Sequence, residues 1–171
     1  FRVFWLFNGS IKRWVAAGDA FLTNRNNDVL DPCAGHFVHP KTTSVTQVYT
    51  GEIRENAFAC PLRTGNNLIT GGWPIDLSPA QMAMTNASGF TGNRDPAKSD
   101  RLHLWVGDTV YGTEGYDTHF YLVRGALNQW TTSANANIVN ENNVSFLKAH
   151  GGFSLQMISP VDWVIPLPWT P

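Results

Sequence analysis

At 171 residues, 43% of them hydrophobic and 15% charged, the chain has enough apolar material for the core of one ordinary domain or two small ones. Twelve basic and thirteen acidic residues are scattered singly for a net charge of −1, leaving no basic stripe for phosphates and no polybasic membrane patch. Nucleic acid is therefore not an expected partner, and no apolar run is long enough for membrane insertion.

In chain order, short runs rich in Val, Ile, Thr and aromatics, punctuated by Gly, Asn and Pro, predict strands joined by turns. The expected strands are Val3–Phe7, Ile11–Val15, His36–His39, Thr46–Thr50, Asn67–Thr70, Arg101–Val106, His119–Val123, Leu127–Thr131, Gly152–Met157 and Asp162–Ile165. Asn8-Gly9 predicts a tight hairpin turn, because both residues tolerate the positive φ that such turns need. Pro74 to Asn86 departs from the strand pattern. There Ser78 and Gln81 form a capping-box pair with Pro79 between them, which predicts one short helix near residues 78–86. Residues 91–100 read as a polar loop. Alternating prolines from Pro166 to Pro171 predict an extended, polyproline-like tail that packs on its own domain or on a neighbour.

The chain nearly repeats itself. Phe4-Trp5-Leu6-Phe7-Asn8-Gly9-Ser10-Ile11-Lys12-Arg13-Trp14 is answered 116 residues later by Phe120-Tyr121-Leu122-Val123-Arg124-Gly125-Ala126-Leu127-Asn128-Gln129-Trp130. One residue further out of phase, Leu30, Gly35 and Val38 correspond to Leu147, Gly152 and Leu155. Such self-similarity marks a duplicated unit. Residues 1–50 then form a partial β-repeat unit and 51–171 a complete one with a Pro-rich tail. The first copy begins in its middle, so the chain reads as a fragment or a processed product. The expected fold is all-β, an antiparallel β-sandwich or barrel-like repeat, with Trp14 and Trp130 filling equivalent core sites.

Catalytic signatures are scarce. There is no nucleophile elbow, phosphate loop or dinucleotide fingerprint, and two cysteines exclude an ordinary cysteine-based zinc site. Asp100, His103, Asp108, Glu114, Asp117 and His119 gather around one strand and offer metal ligands or an acid–base pair, but they lack the regular oxygen spacing of a calcium loop and read as solvated loop residues. His36 and His39 differ by three positions, so a strand would send them to opposite faces. No catalytic residue, metal site or cofactor is therefore assigned. Cys33 and Cys60 form a disulfide or remain two buried thiols; spacing alone does not supply the Cα separation a bridge requires. Among the seven Trp residues, Trp73 and Trp169 lie beside prolines in irregular segments and are the candidate sugar platforms. The sequons at Asn8, Asn86 and Asn143 are what chance supplies in an Asn-rich chain.

Low Lys and Glu content with abundant Asn, Thr, Ser and Gly fits a secreted β-protein. Asn67-Leu68-Ile69, Trp73-Pro74-Ile75-Asp76-Leu77-Ser78, Ser99-Asp100-Arg101-Leu102-His103-Leu104-Trp105, Tyr121-Leu122-Val123 to Trp130, and Gly151-Gly152-Phe153 resemble the recurring blocks of an uncharacterised family of secreted proteins common in Verrucomicrobia. The resemblance, carried mainly by residues 51–169, implies an exported β-rich repeat protein and transfers no catalytic residue.

An incomplete unit starting with an aromatic strand should expose an unpaired edge. The expected function is a non-enzymatic structural subunit, extracellular or at the cell surface, that forms a homo-oligomer or polymer through strand edges. Phe1, Val3, Trp5, Phe7, Pro166 and Trp169 are the candidate edge residues. The alternative is a carbohydrate-binding or adhesion module with glycans as partners. A third possibility, a polysaccharide-cleaving enzyme, would need two carboxylates such as Asp108 and Glu114 across one cleft.

Overall fold

The computed structural model describes residues 4–8, 12–28, 33–36, 53–108, 113–132, 138–149 and 151–169; for Phe4, Trp5, Phe7, Asn8, Val106–Asp108, Thr113 and Glu114 it describes the backbone alone. The chain divides into two compact units, Phe1–Asp31 and Pro32–Pro171. The expected strand Thr46–Thr50 and most of His36–His39 lie outside the described residues, and His36 itself is irregular.

The first unit is built on one antiparallel hairpin, β1 (Phe4–Asn8) and β2 (Lys12–Ala16). Asn8 pairs with Lys12, so Asn8 ends the strand instead of occupying a central turn position, and the three connecting residues 9–11 lie outside the description. After β2, Asp19 accepts hydrogen bonds from the backbone N–H groups of Phe21 and Thr23, each at 3.0 Å. Bonding to the Thr23 side chain, then to the Phe21 N–H, holds this exposed carboxyl below its usual pKa.

The second unit is all-β and sandwich-like. Among the described residues its strands are β3 (Phe58–Leu62), β4 (Gly65–Thr70), β5 (Arg101–Asp108), β6 (Thr113–Arg124), β7 (Leu127–Thr131), β8 (Gly152–Met157) and β9 (Val161–Ile165). Antiparallel pairing gives a five-stranded sheet in the order β4-β8-β5-β6-β7 and a two-stranded ribbon of β3 and β9. Residue alternation explains the layering. In β3, Phe58, Cys60 and Leu62 are buried between exposed Ala59 and Pro61; in β8, Phe153, Leu155 and Met157 are buried. These side chains meet Ile69, Leu102, Tyr121, Trp130, Trp163 and Ile165 in one core. The strand β3 was not expected, because Pro61 lacks an amide to donate; a ribbon with a single partner strand tolerates that loss.

The expected helix near residues 78–86 does not form. Its capping box does: Gln81 N–H donates to Ser78 Oγ at 3.3 Å, and Ser78 N–H donates to Gln81 Oε1 at 3.0 Å. Helical bonding then stops after Met82 N–H donates to the Ser78 carbonyl, Ala83 turns to φ 52°, and a short 3₁₀ turn follows at Asn86–Ser88. Past the turn at Ala83 the Met82 and Met84 carbonyls face the core, where they accept from Trp163 Nε1 and Trp130 Nε1, both at 2.8 Å. The segment becomes a plug, with Leu77, Met82 and Met84 buried beneath it.

Both edges of the five-stranded sheet are engaged locally. Along β4, Gly35 N–H donates to the Leu68 carbonyl and Thr70 N–H to the Cys33 carbonyl. Along β7, Trp130 N–H donates to Asn142 Oδ1 and Glu141 N–H to the Trp130 carbonyl. Both outer strands are thus bonded to segments of their own unit along part of their length.

The repeat survives as two hairpins with different registers. Trp14 lies opposite Leu6, whereas its sequence equivalent Trp130 lies opposite Tyr121 and the equivalent of Leu6, Leu122, lies opposite Gln129. Arg124 pairs with Leu127 across the two-residue turn Gly125-Ala126, where Gly125 takes φ 61°; the first hairpin is one residue longer there. Both faces of the second hairpin are covered at this point, Leu122 and Gln129 as well as Tyr121 and Trp130, whereas Leu6 and Trp14 of the first are half exposed. Trp130 is fully buried and Trp14 is 45% exposed, which corrects the expectation that both fill equivalent core sites.

Candidate functional site

The polar cluster expected around β5 is dispersed. Asp100 is fully buried, and its carboxylate accepts from the backbone N–H groups of Thr91 and Ile158, each at 2.7 Å. Burial pushes its pKa above the ordinary value, against the opposing pull of those two donors. His119 points into the core, stacks on Phe146 at 4.3 Å, and lies 2.7 Å from Glu141 Oε2 through Nδ1. Asp117 is exposed. Asp108 stands opposite Thr113 and Glu114 opposite Gly107, with their side chains outside the description. Among the described residues, no group of three His, Cys, Asp or Glu side chains is placed to hold a metal ion.

Trp73 is corrected as a sugar platform. It is only 2% exposed, and its ring is taken up by Phe58 at 5.7 Å and by the edge of Trp169 at 5.0 Å. The tail docks on its own unit, since Leu167 packs against the core and Trp169 against Trp73. Pro166 is half-buried, while Trp169 keeps 37% of its surface exposed even as its ring meets Trp73. Phe1 and Val3 lie outside the described residues, and Trp5 and Phe7 are placed only by register, opposite Val15 and Arg13. Cys33 and Cys60 are both buried in the core cluster, where Cys33 Sγ lies 3.6 Å from the carbonyl of Ala59, the residue preceding Cys60.

One site emerges that sequence reading did not assemble. Strand alternation puts Arg101, His103 and Trp105 of β5 on the face opposite the core, with Tyr116 and Thr118 of β6 and Ser154 and Gln156 of β8. A groove of about 320 Å³ runs across this face, lined by Asn66, His103, Tyr116, Ser154 and Gln156. His103 is held at both ring nitrogens, Nδ1 at 2.9 Å from Thr118 Oγ1 and Nε2 at 3.4 Å from Gln156 Oε1. Beside it, Trp105 and Tyr116 are 53% and 55% exposed and meet edge to face at 5.0 Å. They sit where β5 and β6 run on past the end of β8 pairing at Leu104. The signal in the sequence was the alternation of Arg101, His103 and Trp105. Its partners come from β4, β6 and β8, which pairing alone brings together.

Trp105 also lines a smaller cleft, with Leu104, Phe146, Gly152 and Phe153 among others, where Lys148 Nζ is 2.6 Å from Asp76 Oδ2.

No protein-family model, curated protein or solved structure matches the chain.

Proposed function

We propose that the chain is a non-catalytic carbohydrate-binding module, acting outside the cell or at its surface, whose site is the groove beside Trp105 and Tyr116. The observation that carries this reading is the exposed aromatic pair next to a row of neutral hydrogen-bonding groups, Asn66, Ser154 and Gln156. A sugar ring needs both kinds of surface: its C–H face packs on aromatic rings, and its hydroxyls exchange hydrogen bonds with amides and hydroxyls. The groove volume falls at the small end of ligand clefts, roughly 300–1,000 Å³. It lies on a paired sheet with His103 fixed at both nitrogens, so little ordering cost accompanies binding. The test is retention on a panel of insoluble polysaccharides, comparing the wild type with Trp105→Ala. At least one polymer should retain the wild type and release the variant; retention of neither protein, or of both equally, sinks the reading.

A second reading keeps self-assembly. Leu6 and Trp14 lie opposite one another on the β1–β2 hairpin, 50% and 45% exposed, an apolar pair suited to a neighbouring copy in a filament or surface layer. Sedimentation would decide. Assembly by the wild type that disappears in Leu6→Ser/Trp14→Ser supports it, and equal behaviour of the two rejects it.

A further inference from the structure

The groove and the aromatic pair beside it climb one face of the sheet in register rows. Asn66 of β4 and Gln156 of β8 are Cα partners in the first row, Ser154 of β8 and His103 of β5 in the second, and Trp105 of β5 and Tyr116 of β6 in the third. Successive rows are two residues apart along a strand, so these side chains share the face away from the core. The hydrogen-bonding groups thus run obliquely across the neighbouring strands β4, β8, β5 and β6 and finish at the two rings. By ordinary sheet spacings Asn66 lies about 20 Å from Tyr116, and one ring of an extended sugar chain covers about 5 Å, so the row has the reach of about four rings.

The aromatic groups share no common plane. Trp105 and Tyr116 meet at 5.0 Å with their planes 73° apart, and His103 meets Tyr116 at 6.3 Å and 80°. A flat crystalline face laid on one of these rings would strike the edge of its neighbour, because such a face needs its aromatic platforms level with one another. A single chain makes no such demand, since one sugar packs its C–H face on one ring and its side against the other. Beyond the rings the ligand meets a depression of about 320 Å³, which a single chain enters and a crystal face only bridges.

We infer that the groove takes a single polysaccharide chain, laid obliquely across the strands over about four sugar rings, and not the flat face of a crystalline polymer. This rests on the carbohydrate reading above and names the form of the polymer. One ring seats in the corner between Trp105 and Tyr116, and the rings that follow reach Ser154, Gln156 and Asn66 in turn.

The experiment compares the wild type, Trp105→Ala and Asn66→Ala, each shown to be folded by thermal melting; if Trp105→Ala does not fold, Tyr116→Ala takes its place. Depletion assays set crystalline against acid-swollen cellulose, chitin and mannan, and calorimetry follows the oligosaccharides of each polymer from two to six rings. The wild type should bind the swollen form of at least one polymer about tenfold more tightly than its crystalline form, and its oligosaccharide affinity should rise about tenfold from two rings to four and then level off. Asn66→Ala, altered at the far end of the row, should lose most of that gain. Equal binding of crystalline and swollen forms, an affinity that levels off at two rings, or a gain that survives intact in Asn66→Ala would each overturn the inference. If Trp105→Ala still releases the polymer in those cases, the groove reading stands without the single chain. Wild-type binding of no polymer in either form, or undiminished binding by Trp105→Ala, removes the groove reading itself.

Discussion

Trp163 donates its indole N–H to the carbonyl of Met82 at 2.8 Å, inside the core and across 81 residues of sequence. Trp130 does the same to Met84. One donor comes from the β3–β9 ribbon and the other from the five-stranded sheet, so the plug between them is tied to both layers. Trp163→Phe keeps most of the ring and leaves the Met82 carbonyl buried and unbonded. We expect a loss of about 2–4 kcal/mol with an unchanged denaturant slope, read by urea unfolding. A loss below about 0.5 kcal/mol would mean that the bond contributes little to holding the plug.

The duplicated tryptophans should part company in the same assay. Trp130→Ala opens a cavity in the core and breaks a buried hydrogen bond, for a cost of about 3–5 kcal/mol. Trp14→Ala removes a half-exposed ring and should cost less than about 1 kcal/mol. Equal costs would contradict the difference in burial between the two rings.

Asp100 makes a prediction with a sign. Burial raises its pKa on folding, so the native state holds this proton more tightly than the unfolded chain does. Its contribution to stability is present below the unfolded value, near 3.8, and is lost as pH rises through the higher folded value. Stability of the wild type minus that of Asp100→Asn should therefore fall as pH increases above 3.8. A difference that grows with pH would mean that the Thr91 and Ile158 amides outweigh burial. At acid pH the variant should still be less stable by about 1–3 kcal/mol, because its NH₂ faces one of those donors.

Local signals were legible where local chemistry decides. The strands Asn67–Thr70, Leu127–Thr131 and Gly152–Met157 read directly from alternation, and the Ser78–Gln81 capping box formed as its spacing predicts. The segment after that box turns at Ala83, and its Met82 and Met84 carbonyls accept from two indoles of distant strands, a tertiary fact with no local trace. The fate of Trp14 was hidden for a similar reason: the sequence match is intact, but only the second hairpin is covered on both faces. The site was half visible. His103 and Trp105 were each singled out, but for a metal cluster and for a general pool of aromatics. Joining them to Tyr116, Asn66 and Gln156 required the strand order β4-β8-β5-β6, which skips along the sequence and is not encoded by any one segment.

The most direct test of the account is a ¹H–¹⁵N spectrum of the labelled protein titrated with a polysaccharide fragment that retains the wild type in the panel. The account predicts saturable shifts confined to His103, Trp105, Tyr116, Thr118, Ser154, Gln156 and Asn66, including the Trp105 indole, with the Trp73 and Trp130 indoles unmoved. Shifts that cluster instead at Leu6 and Trp14, or saturable binding that leaves the groove resonances in place, would contradict it.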